Sequence, residues 1–155
     1  MPKIEKITKQ TENPYVNLYL VEGKNKADHP FRYYVASRAK TMEALKIKTK
    51  KNTPDGVLMY SLYGEKRDKI VLVRQYRVSI DDYIYEFPAG LVESGEEFHE
   101  AAVREMHEET GLTFHPLKVD PCYEKPFFTT IGMTDEACSA VYGWCEGEIS
   151  RKYLE

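Results

Sequence analysis

The chain has 155 residues, a net charge of -3, 42% hydrophobic and 30% charged residues, which is an ordinary balance for one globular domain. The slight acidic excess excludes a general nucleic-acid binder, although it leaves room for a small anionic substrate met by local cations. Cys122, Cys138 and Cys145 are odd in number and form no C-x-x-C pair, so a disulfide framework and a zinc cluster are both excluded and reduced thiols in a cytosolic protein are expected.

In chain order, Met1 to Gln10 alternates charge with isolated isoleucines and offers no apolar signal region. No apolar run approaches the ~18 residues of a membrane helix. A cytoplasmic location without membrane contact is therefore expected. Tyr15 to Val21 and Phe31 to Ser37 are β-rich runs split by the polar turn Lys24 to Pro30, and a small antiparallel unit follows. Tyr33 and Tyr34 are read first as strand packing and second as stacking groups. Arg38 to Lys51 is basic, and is read as a solvated strand or connecting segment, with attraction of phosphate as the functional alternative. Val57 to Leu62, Ile70 to Val73 and Tyr83 to Phe87 are further strands. Glu97 to Thr110 is a helix, with Ser94 and Glu97 as a capping box and Gly111 as its stop. Strand-like runs follow near Leu117 to Tyr123 and Ala137 to Trp144. Several strands, one helix and more strands give a mixed sheet with helical cover.

The helix carries the chemistry. At about 100° per residue, Glu108 falls at roughly -60° and Glu109 at roughly +40° from Glu105. The apolar residues Phe98, Ala101, Ala102 and Met106 project within about the same arc. The acidic cluster thus continues the packed stripe instead of opposing it. Clustered, partly buried carboxylates need compensation, and hard divalent cations supply it. Arg104 stands four residues before Glu108 and can hold it ionised and oriented. Ordinary helix-forming surface glutamates are the alternative for this cluster taken alone.

Gly90 is followed after five residues by Glu96, and after seven more by Arg104-Glu105-Met106-His107-Glu108-Glu109-Thr110-Gly111-Leu112. The stretch resembles the Nudix signature, G-x5-E-x7-R-E-U-x-E-E-x-G-U, at every specified position, where U is apolar. The resemblance implies an α+β (α/β/α sandwich) Nudix fold: a mixed sheet with the signature as loop, helix and loop, preceded by a small N-terminal strand unit. It implies hydrolysis of a nucleoside diphosphate linked to a group X, with magnesium, or manganese in its place, as cofactor. Glu105, Glu108 and Glu109 would be metal ligands, Glu96 would stand near them or act through water, and Arg104 would orient them. Gly90 would permit close backbone approach at the loop.

Gln75-Tyr76-Arg77 and Tyr85-Glu86-Phe87-Pro88-Ala89-Gly90 narrow the resemblance to the ADP-ribose and ADP-sugar pyrophosphatases. That subfamily implies a metal ligand in the backbone carbonyl of Ala89. It also implies Arg77 on the substrate diphosphate, and substrate contacts at Glu86, Gly90 and Leu91. Arg38 and Glu136 are further substrate candidates. The stretch Thr130 to Glu136 is similar to the subfamily's P-G-x-S/T-D-E loop, with Ile131 replacing proline. An N-terminal unit over 1–50 would pair two subunits and help build the nucleoside site, and 51–155 would be the catalytic core. Relatives usually continue for several more tens of residues, so the core is expected to be short at its C-terminus. The general base is left among Glu136, Glu146 and Glu148. The expected partner is a small nucleoside diphosphate derivative, with a homodimer as assembly. The alternatives are a Nudix enzyme for an oxidised nucleotide or dinucleoside polyphosphate, and a non-catalytic nucleotide-binding module.

Overall fold

A computed structural model describes residues 2–150 and residue 152. Arg151 and residues 153–155, the end of the expected 51–155 core, lie outside the described residues. The chain groups into two compact units: residues 1–53 with 128–137, and residues 54–127 with 138–155.

The first unit is built on a three-stranded antiparallel sheet in the order β1 (Lys3–Lys9), β2 (Asn17–Lys24), β3 (Pro30–Ser37). The expected hairpin is present and gains β1, formed by the charge-alternating N-terminal run. Central strand β2 buries Tyr19, Leu20 and Val21, and the Tyr19 hydroxyl donates to the Ala39 carbonyl at 2.7 Å. Residues 128–137 join this unit: the Ala36 amide donates to Met133 O at 2.9 Å and the Tyr33 hydroxyl to Gly132 O at 2.6 Å. Tyr33 and Tyr34 are half exposed, so neither is a core packing residue. The basic segment is a connection, as expected, with one turn of helix, α1 (Lys46–Thr49), behind the buried Leu45.

The second unit holds a mixed sheet. Strand β4 (Gly56–Tyr63) is at its centre, with the two-residue β5 (Lys69–Ile70) beside it. The expected single strand over Ile70 to Val73 is a correction: Ile70 pairs with Leu62, whereas β6 (Val73–Arg77) pairs with β7 (Asp82–Glu86) as a separate ribbon. A periodic apolar run shows that residues are extended, not that they share one partner strand. β8 (Ala89–Leu91) lies antiparallel on β4, and α2 (Phe98–Thr110) follows it. β9 (Thr113–Pro116) comes directly after α2, so the strand expected over Leu117 to Tyr123 is also corrected. Pro121 opens a 3-10 turn there, capped by the Asp120 side chain on the Cys122 amide at 2.8 Å. β10 (Phe127–Phe128) and β11 (Ala137–Glu146) complete the sheet; β11 runs parallel to β4 and antiparallel to β9. Among the described residues, α2 is the long helix.

One face of the sheet is dry. Ala137, Ser139, Val141, Gly143 and Cys145 alternate as buried positions of β11, and Val57, Met59 and Ser61 do so on β4. Against them α2 sets Ala101, Ala102 and Met106, with Leu112 and Phe114 following. Each large side chain buried here is worth roughly 1.5–3 kcal/mol, and together they fix where α2 lies. Gly143 is required by this packing, because a β-carbon there would strike the Phe114 ring and the His115 carbonyl. Of the thiols, Cys145 is buried, Cys138 half-buried and Cys122 exposed, and none of the three is in a disulfide.

Candidate active site

The loop before α2 and the helix itself place the acidic groups. The expected capping box is corrected: Glu97, not Ser94, is the N-cap, and its side chain accepts from the His99 amide at 2.9 Å. Ser94 lies in a turn with Gly95 at φ +87°, closed by Glu96 N to Glu93 O at 3.1 Å. In that turn Glu96 folds back to accept from the Glu93 amide at 2.9 Å. Gly111 ends the helix at φ +76°, as expected of a C-cap glycine.

Arg104 is the hub. Its Nε and Nη2 donate to the two oxygens of Glu96 at 2.9 and 3.0 Å. Nη1 donates to Glu105 Oε1 at 2.9 Å and to Glu108 Oε2 at 3.1 Å, and Nη2 also reaches Leu91 O at 3.0 Å. The guanidinium is driven far above its ordinary range, first by the Glu96 bonds. In return the Arg104 bonds, with help from the Glu93 amide, hold the Glu96 carboxyl at about 2. One planar fork thus ties the loop, the β8 end and three carboxylates together.

Glu109 sits differently. Its Oε2 accepts from the Ala89 amide at 3.2 Å, and Arg104 does not reach it. Burial pushes its carboxyl up to about 7; the Ala89 bond opposes this, whereas the charges of Glu105 and Glu86 add to it. Arg77 pulls the other way, so Arg77 and Glu86 both stand within electrostatic reach. They are also paired with each other: Arg77 Nε donates to Glu86 Oε2 at 3.2 Å, and Nη2 lies 2.6 Å from Oε1 without hydrogen-bond geometry. Gly90 lies against Glu105 so tightly that a β-carbon would overlap Cδ, Cγ and Oε1 of that side chain.

The structure therefore brings Glu96, Arg104, Glu105, Glu108, Glu109, Ala89, Gly90, Leu91, Arg77 and Glu86 into one neighbourhood of the second unit. Arg38 and Glu136 belong to the first unit and pair with each other, Nε to Oε1 at 2.7 Å. Glu146 Oε1 lies 2.9 Å from His115 Nε2 and accepts from it when that nitrogen carries the proton, and Glu148 is exposed. A cavity of about 430 Å³ opens beside Glu109, lined among others by Leu72, Arg74, Gln75, Tyr76 and Ser150. The sequence argument did not mark Arg74 or Ser150. Ser150 docks by donating its amide to Thr110 O at 2.8 Å, a long-range contact with no local signal.

The oxygens suit a hard cation. Glu105 and Glu108 each turn one oxygen to Arg104 and Glu109 turns one to Ala89, which leaves the second oxygen of each without a hydrogen bond among the described residues. Among those residues no three acidic, histidine or cysteine side chains are grouped closely enough to hold a metal ion as they stand. Carboxylate oxygens of this kind suit a hard divalent cation that keeps waters and accepts phosphate oxygens as further ligands. At Glu109 burial, with the charges of Glu105 and Glu86 added to it, disfavours the bare carboxylate, a cost that a nearby positive charge would offset.

The model of the NUDIX domain matches residues 52–148. The chain belongs to the NUDIX family. It is 35% identical over 80 residues to the ADP-ribose pyrophosphatase of Saccharomyces cerevisiae, covering 50% of this chain and 35% of that one. It is 36% identical over 87 residues to the ADP-sugar pyrophosphatase of Mus musculus, covering 54% and 40%. It is 44% identical over 61 residues to the ADP-ribose pyrophosphatase of Bacillus subtilis, covering 39% and 33%. The matched stretches thus span between a third and two fifths of these relatives. A crystal structure of an ADP compounds hydrolase superposes with a TM-score of 0.69 at 19% identity, over 96% of this chain and 70% of that one. The fold is accordingly the Nudix fold, with its mixed sheet and signature helix. No helix among the described residues is long and apolar enough to cross a membrane.

Proposed function

We propose that this Nudix chain is a magnesium-dependent hydrolase that cleaves the pyrophosphate bond of ADP-ribose or an ADP-sugar, releasing AMP and a sugar phosphate. The observation that carries the reading is the centre at Arg104. One guanidinium orients Glu96, Glu105 and Glu108, while Glu109 is left electrostatically unsatisfied at the mouth of a cavity. The similarity to ADP-ribose and ADP-sugar pyrophosphatases supports the choice of substrate.

Glu105, Glu108 and Glu109, with the Ala89 carbonyl, would hold the cation. Bound magnesium supplies charge neutralisation at the pyrophosphate and acidifies water. The chain's own residues do the positioning, which is most of phosphoryl-transfer catalysis. Arg104 fixes two of the carboxylates. Arg77 turns from Glu86 to the diphosphate, for which its planar fork suits. Gly90 and Leu91 bring backbone to the substrate's flank. Residues 1–50 form a dimerising and nucleoside-binding unit, with Arg38 and its ion-pair partner Glu136 from the 128–137 stretch as polar contributors and half-exposed Tyr33 and Tyr34 available for stacking.

The test is product analysis with ADP-ribose and magnesium, comparing wild type with Glu109→Gln. AMP and ribose 5-phosphate from the wild type alone are expected. Equal turnover by Glu109→Gln would refute the metal-site assignment. A folded, magnesium-binding wild type that spares ADP-ribose but cleaves an oxidised nucleotide or dinucleoside polyphosphate would move the substrate. Binding without cleavage of any of them would make the chain a binding module.

A further inference from the structure

Away from the Arg104 centre, the N-terminal end of α2 carries an arrangement that the hydrolysis does not use. The His99 ring lies between two carboxylates. Its Nδ1 is 3.0 and 3.2 Å from the two oxygens of Glu97, and its Nε2 is 2.9 Å from Glu124 Oε1. Carboxylates at these distances only accept, so both ring nitrogens must donate, and only the imidazolium carries two N–H groups. A neutral ring satisfies one partner and turns a lone pair toward the other.

The two partners belong to different parts of the second unit. Glu97 is the N-cap of α2 and is already fixed by the His99 amide. Glu124 belongs to the 3-10 turn region after β9, and its side chain is only 15% exposed. The Glu124 carbonyl accepts from Ser139 Oγ at 2.9 Å, and the turn itself is held by Tyr123 N to Asp120 O and Glu124 N to Pro121 O at 3.0 and 3.3 Å. The His99 contact adds to these a charge-assisted tie between this turn and the helix. Just beyond it, at 127/128, the chain leaves the second unit for the first.

The other charged groups facing the ring do not replace it. Glu100 and Arg104 border the same shallow depression, to which β9 contributes Pro116. Arg104 is committed to Glu96, Glu105 and Glu108. Lys125, on the turn itself, lies within reach of Cys122.

We propose that His99 is a proton-operated latch: as the imidazolium it holds Glu97 and Glu124 together, and on losing its proton it frees the 120–126 turn from α2. Burial lowers the ring's proton affinity, but the bonds and charges of Glu124 and Glu97 together outweigh it, so release falls on the alkaline side of an ordinary histidine. The linkage follows: the tie is complete below the unfolded-state value and is lost as pH rises through the higher folded-state value.

Amide hydrogen exchange on the whole chain, corrected for intrinsic rates, tests this between pH 5.5 and 8.5. Exchange at Tyr123 and Glu124 is expected to quicken roughly tenfold across the His99 titration, the weight of one charge-assisted bond. The His99 ring resonance should titrate with the same midpoint. In His99→Gln, which keeps a polar bridge without a proton to lose, the step should vanish. Glu124→Gln, which keeps the acceptor but removes its charge, should shrink the step and move the midpoint down. A step of equal size in His99→Gln, or no step in the wild type, overturns the latch.

Discussion

Gly90→Ala isolates the geometry on which the proposed active site depends. The new methyl carbon would sit far inside the 3.0 Å that real β-carbons keep from Cδ, Cγ and Oε1 of Glu105. To regain ordinary contact, the Glu105 side chain must retreat by at least roughly 1 Å. Its Oε1 lies 2.9 Å from Arg104 Nη1, so that retreat stretches the bond past any useful length. Misplacement by about 1 Å costs on the order of 100-fold in rate at a positioned catalytic site. Overpacking of this kind costs about 1–3 kcal/mol, and in a domain of this size each kcal/mol lowers Tm by roughly 2–4 °C. The expected outcome is a folded variant with Tm lowered by several degrees and kcat for ADP-ribose down about 100-fold. Thermal melts followed by circular dichroism and steady-state AMP release measure the two effects. Gly90→Ala in a Glu105→Ala background separates them: the room vacated by Glu105 should restore Tm while activity stays lost, a coupling that independent sites do not show. Wild-type kcat in the single variant, or no recovery of Tm in the double, would refute the reasoning.

Glu96, held at about 2 by Arg104, sets an acid limit. Its folded value is depressed, so its contribution to stability is present above the unfolded carboxyl value and is lost as pH falls from about 4.5 toward about 2. Glu96→Gln should therefore be less stable at pH 7 and flatter in urea midpoint across that window; parallel wild-type and variant profiles would contradict the pairing. Arg77→Lys keeps the charge and loses the fork, so KM for ADP-ribose should rise about tenfold with a smaller change in kcat. An unchanged KM would remove Arg77 from the diphosphate.

Much of the candidate site was legible because it is local. Spacing along α2 put Glu105 and Glu109 at the margin of the buried stripe of Ala101, Ala102 and Met106, where the structure has them half-buried. The same wheel treated Glu108 as their equal, yet its side chain is 47% exposed and is held by Arg104 from one side. Strand pairing was less legible. Val71 donates to Ser61 O beside β5, whereas Val73 two residues later pairs with Glu86. The apolar run is continuous across that change of partner, so periodicity alone could not expose it. Ser94 matched a capping pattern, but the positive φ of Gly95 spends it in a turn and hands the cap to Glu97. The His99 contact with Glu124 spans 25 residues and no sequence spacing announces it.

The carboxylates of α2 show how one chain can hold so much like charge beside a core. Arg104 donates in four directions to acidic groups and a carbonyl, so Glu96, Glu105 and Glu108 are held and oriented by the protein itself. Glu109 has only one amide, from Ala89, against burial and two neighbouring carboxylates. Folding stability and site chemistry therefore rest on different residues. Arg104 and Gly90 are where substitution strikes architecture first. At Glu109 the fold tolerates a buried carboxyl pushed up to about 7, and a neutral amide there should leave the fold at least as stable while removing the group the proposed chemistry needs.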